Sequence, residues 1–143
     1  MIFGQLALIV AAAFTGTAFY INFAEQPARL LLDDRALLAE WKRAYTRGFV
    51  MQASLALIGA VLGALAFWQL GGYSWPVGAF LLFANWPYTM IAILPTNKAL
   101  MATAPENAGP KSRVLIERWA RLHAVRTLLG LGATVAFLFA LLS

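Results

Sequence analysis

Apolar residues run along this chain in four long stretches, and the polar residues collect between them. Residues 2–25 hold no charge before Glu25, and a helix needs about 20 such residues to cross a bilayer. The run lacks a basic leader and a small-residue cleavage site, so it reads as a first transmembrane helix and not a signal peptide. Pro27 predicts a break at Glu25-Gln26-Pro27, with residues 27–32 as a short interfacial piece. Asp33 or Asp34 then caps a second helix over 34–70. Its first part is amphipathic, with Arg35, Lys42, Arg43 and Arg47 on the polar side, and it is apolar from Gly48 to Leu70. Gly71-Gly72-Tyr73-Ser74 is a tight turn.

A third helix is predicted over 75–94, kinked by Pro87 and ended by Pro95-Thr96-Asn97-Lys98. A short interfacial helix over 98–103 and a polar loop over 104–111 follow. The fourth helix covers 112–142. The expected fold is therefore all-α: one domain, residues 1–143, forming an integral membrane, antiparallel four-helix bundle with short interfacial helices on the cytoplasmic side. No internal repeat is evident.

Composition supports the membrane reading. The chain is 62% hydrophobic and 12% charged, against roughly 45–50% and 25% in a soluble domain. The net charge of +5 does not point to nucleic acid, because the basic residues sit in two short segments flanked by apolar spans. The connection between the second and third helices has no Lys or Arg. The positive-inside rule then puts both basic connections in the cytoplasm and both termini outside it, as in a multi-pass protein of a bacterial-type inner membrane. Membrane lipid is one expected partner. Gly59 and Gly63, a small-xxx-small pair, would permit self-association into a homo-oligomer.

This topology gathers polar side chains at one end. Trp119, His123 and Arg126 follow at i, i+4 and i+7 and share one helical face, which continues through Gly130, Ala133 and Phe137. Trp41, Tyr45, Gly48 and Gln52 share another. Glu25, Arg29 and Asn97 fall at the same depth. Taken singly, each has a plain structural role: Trp119, Trp41 and Tyr45 as interface anchors, Asn97 as a cap, Glu25 in an ion pair, His123 bonded to a carbonyl. Ionisable groups inside an apolar boundary are expensive, however, and usually face a polar cavity. With no Cys and one His, the sequence does not favour a protein-only zinc, copper or di-iron site, while a haem held by His123 alone stays open. No phosphate-binding loop and no serine-hydrolase arrangement are present.

The chain resembles the anthrone oxygenase-like family of small membrane proteins over nearly its whole length. The resemblance rests on Glu25-Gln26-Pro27-Ala28-Arg29, on Trp41 with Tyr45, and on Pro87-Tyr88-Thr89. It continues with Pro95-Thr96-Asn97-Lys98-Ala99-Leu100 and with Trp119 to Thr127. Many members have Glu-His-Pro where this chain has Glu25-Gln26-Pro27, which removes a second imidazole. The resemblance implies oxidation of an anthrone-like aromatic small molecule by O2 without metal or flavin, so no cofactor is expected. On that implication His123 is the base, with Glu25 orienting it or serving in its place. Arg126 and Asn97 steady the oxyanion, and Trp41, Tyr45, Tyr88 and Trp119 form the substrate-binding wall. The rival reading is a non-catalytic membrane protein that binds a lipid, quinone or partner subunit in the same pocket.

Overall fold

A computed structural model describes residues 1–143. Four helices fill it: α1 (Ile2–Arg29), α2 (Asp34–Leu70), α3 (Ser74–Ala102) and α4 (Pro110–Leu142). Each is long and apolar enough to cross a membrane. Helix α1 packs against α2 and α4, and α3 packs against the same two, so chain neighbours are spatial neighbours around the bundle. There are no strands.

The connections follow from local chemistry. Asp33 caps α2 by accepting from the Arg35 and Ala36 backbone N–H groups at 3.0 and 2.9 Å. Gly71 and Gly72 take φ of +73° and +86°, which L side chains avoid, and so reverse the chain between α2 and α3. Ser112 exchanges hydrogen bonds with the Gly109 backbone at the start of α4.

Two expected breaks do not occur. Helix α1 continues through Pro27 to Arg29, and α3 continues through Pro95 to Ala102. The expected interfacial pieces are thus the ends of long helices. The reason is a π turn before each proline, Ile21–Glu25 in α1 and Thr89–Ile93 in α3. A proline ring collides with the carbonyl four residues earlier and has no N–H for it. The wider turn displaces that carbonyl. The Gln26 and Leu94 N–H groups reach instead to Ile21 O and Thr89 O, five residues back.

The interior has two apolar cores. One, away from the basic loops, is built on Ala7, Ala11, Phe14, Trp75, Leu82 and Phe137. Glycines let it close. A Cβ on Gly63 would lie 2.6 Å from the Phe137 ring, and one on Gly59 would meet Leu82. The pair expected to serve self-association is therefore occupied inside the bundle. The other core, at the basic end, joins Ile21, Leu37, Trp41, Ile93, Leu100 and Trp119. Between the two lies a layer of buried polar side chains.

Candidate functional site

The face predicted on α4 is the face the fold buries: Trp119, His123, Arg126, Gly130, Ala133 and Phe137 all point inward. His123 and Arg126 line a small polar pocket with Glu25, Arg29, Tyr45, Gln52, Asn97 and Trp119. All four helices contribute. The π turns explain how. Arg29 and Asn97 each lie two residues beyond a proline that follows a π turn, and both are buried in the pocket wall. The two halves of the chain thus use the same device to aim a polar side chain at the same space.

His123 is 2% exposed. Its Nδ1 is 2.7 Å from Asn22 Oδ1. The Asn22 amide is itself oriented, since its Nδ2 donates to the Ala120 carbonyl at 2.8 Å. Thr127 Oγ1 also donates to Asn22 Oδ1, at 3.3 Å. An oxygen facing Nδ1 can only accept, so Nδ1 carries the proton and Nε2 keeps a free lone pair. The Trp119 ring packs on the imidazole at 4.9 Å between centroids.

The group that orients His123 is therefore Asn22. Glu25 instead pairs with Arg29, Oε1 to Nη2 at 2.7 Å. Glu40 Oε2 lies 2.9 Å from Arg29 Nε, a close approach of charges without hydrogen-bond alignment. Arg29 is thus neutralised twice.

Arg126 is different. It is 8% exposed and has no carboxylate partner. Its Nη2 donates to Gln52 Oε1 at a long 3.5 Å, and its Nε has no partner. Gln52 is held by donation to Thr17 Oγ1 at 2.6 Å and to Phe14 O at 3.3 Å. A guanidinium carries five N–H donors, and most of those on Arg126 await an acceptor.

The other expected residues divide. Asn97 is inside α3, not capping it, and lines the pocket with its Oδ1 unpartnered. Tyr45 lines the pocket and stacks on Trp41, with centroids 4.9 Å apart. Trp41 is wholly buried behind that wall, edge-on to Trp119 at 5.7 Å. Tyr88 donates its hydroxyl to Leu122 O at 2.9 Å and is not part of the pocket lining. Asn22, Gln52 and Thr89 were not expected as site residues. The signals were a helical face that Asn22 shares with Glu25 and Arg29, and the face that Gln52 shares with Trp41 and Tyr45. No three His, Asp or Glu side chains converge as metal ligands would.

The sequence profile of the anthrone oxygenase family matches residues 41–136, the segment that carries Tyr45, Asn97, His123 and Arg126. The chain belongs to the anthrone oxygenase family. It is 30% identical to an anthrone oxygenase of Claviceps purpurea over 92% of this chain and 84% of that one. It is 31% identical to the anthrone oxygenase tpcL of Aspergillus fumigatus over 90% of this chain and 86% of that one. No solved structure matches the chain. Asn22, Glu25 and Arg29 lie outside the segment matched by the family profile, so the bundle geometry is what joins them to it.

Proposed function

We propose that this member of the anthrone oxygenase family is a membrane-embedded oxygenase that oxidises a hydrophobic, anthrone-like or phenolic substrate with O2. The observation that carries the reading is Arg126, a buried guanidinium without a carboxylate, one turn from an imidazole whose Nδ1 is held and whose Nε2 is free. A buried cation left in that state calls for an anionic ligand. An enolate formed beside His123 is such an anion. The names of the relatives supply the substrate class.

The steps balance without an electron carrier. His123 Nε2 removes a proton from the acidic ring carbon, and the electron pair moves to the ketone oxygen as an enolate. Arg126, with Asn97 nearby, stabilises that oxyanion. The enolate gives one electron to O2, and the ring radical and superoxide combine to form a carbon–oxygen bond. The resulting peroxide takes the proton back from His123 Nε2, loses water with the second hydrogen of the ring carbon, and leaves a quinone. Anthrone and O2 thus give anthraquinone and water, with the enolate itself as the reductant. The protein supplies the base, the cation and a dry enclosure.

The bundle sits across a membrane in this reading, with the pocket towards the basic, cytoplasmic side and both termini on the other. Large apolar side chains cover its outer surface at Phe23, Ile91 and Leu128, as a lipid-facing bundle requires.

The test is O2 consumption by the purified, metal-stripped protein in detergent with anthrone, against His123→Ala. Anthrones autoxidise, so the comparison carries the inference. The native chain should be far faster than both His123→Ala and buffer. Equal rates for the native chain and His123→Ala would overturn the assignment and favour a binding role for the pocket.

A further inference from the structure

The polar pocket is too small for the molecule its chemistry addresses. Its free volume is about 30 Å³, room for one or two waters and not for a ring. Next to it, between α2 and α3, lies a second cavity of about 220 Å³. The two spaces share Phe49, Thr89 and Arg126 as a common wall. The rest of the larger cavity is formed by Ala53, Asn85, Trp86, Met90 and Leu94. Its surface is almost entirely apolar, and Asn85 engages its Nδ2 with the Leu81 and Leu82 carbonyls at 3.1 and 3.2 Å while its Oδ1 has no partner. Trp86 is fixed across it by donation from Nε1 to Ala53 O at 3.3 Å.

We infer that this apolar chamber is the site that holds the fused rings of the substrate, with the ketone oxygen presented to Arg126 at the shared wall and the reacting carbon turned towards the polar pocket that His123 lines. The inference rests on the oxygenase reading for the identity of the ligand, a flat polycyclic ketone. Phe49 and Trp86 are then the aromatic walls, in place of Trp41 and Tyr88, which the fold uses for packing. An apolar ring system leaves lipid for such a slot without a desolvation cost and gains aromatic packing there, while its oxygen needs the one cation at the edge. Phe49, Trp86 and Met90 are also partly exposed on the outer face of the bundle. The chamber therefore meets the lipid side, where a hydrophobic ligand is concentrated.

Ala53 offers the cleanest test, since it lines the chamber and not the polar pocket. Binding of radiolabelled anthraquinone, which cannot be oxidised further here, is measured on the full chain in lipid nanodiscs and corrected for uptake by empty nanodiscs. Ala53→Val should weaken binding and Ala53→Phe should weaken it about tenfold or more. Phe80→Leu, on the exposed surface of α3, should leave it unchanged. If Ala53→Phe does not fold, as judged by circular dichroism, the valine variant decides. Native binding in the folded Ala53 variants would overturn the chamber assignment. The oxygenase reading fails separately. Chamber-dependent anthraquinone binding without anthrone-driven O2 consumption by the native chain would leave the ring site standing and remove the catalysis. Full O2 consumption by Ala53→Phe would do the reverse.

Discussion

His123 Nδ1 and Asn22 Oδ1 lie 2.7 Å apart across the interface of the first and last helices, 101 residues apart in the chain. The contact decides which imidazole nitrogen can act. Asn22 cannot rotate freely, because its Nδ2 is engaged by Ala120 O. It holds His123 in one tautomer, as second partners of catalytic and metal-bound histidines do.

Asn22→Leu should keep the volume and lose the acceptor. Turnover is expected to fall roughly 10–1,000-fold with a smaller change in KM, since the ring is no longer held in the productive tautomer. His123 is the only histidine, so ¹⁵N-histidine labelling gives one pair of ring signals. The native chain should show the proton on Nδ1, and Asn22→Leu should show a mixture. A native spectrum with the proton on Nε2 would contradict the role given to Asn22.

Arg126→Met should separate stability from activity. Replacing a buried charge that has no carboxylate with an apolar side chain of similar length removes its desolvation cost, so stability should hold or rise. Removing the cation at an oxyanion should cost about 10²–10³-fold in kcat. Thermal unfolding in detergent and anthrone-driven O2 uptake report the two effects. A variant that melts earlier would mean that the guanidinium serves the fold.

Gly63→Val tests the apolar core independently of the site. Its side chain would enter the space of the Phe137 ring, so a loss of about 1–3 kcal/mol is expected from overpacking. Phe137→Leu in the same chain should recover part of it. Equal melting of Gly63→Val and the native chain would show that α2 and α4 do not meet there.

Arg113 ties the connection between α1 and α2 to α4. It donates to Leu30 O at 2.9 Å, Leu32 O at 2.6 Å and Asp34 Oδ1 at 2.6 Å. Arg113→Ala should expose residues 30–33 to limited proteolysis and lower stability by about 1–3 kcal/mol, through carbonyls left without donors. Unchanged cleavage would show that the cap at Asp33 suffices.

Hydrophobic periodicity carried most of the fold and the α4 face. Trp119, His123 and Arg126 point inward because spacing at i, i+4 and i+7 leaves a straight helix little choice. The prolines were misleading for a physical reason. Pro27 and Pro95 forbid an α-helical hydrogen bond, but a π turn satisfies the backbone differently and no residue type announces it. Asn22 was hidden for the same reason, since its pairing with His123 depends on a turn of unusual width and a partner 101 residues away. Trp41 and Trp119 looked equivalent in sequence. Only packing separates Trp41, sealed behind Tyr45, from Trp119, which reaches the pocket.

Each π turn holds a residue that a regular α-helix would not need. Losing one residue within 21–25 would restore ordinary winding and leave the segment beyond it facing as before, because five residues of the wider turn sweep about the same arc as four of an α-helix. The alanine stripe of Ala7, Ala11 and Ala18 and the segment from Pro27 to Arg29 would keep their seats, while the side chains within 21–25 would take new directions. Chain length at two short places is thus a tuning parameter. Relatives could gain or lose a single residue there and change what the pocket recognises, while inheriting the bundle intact.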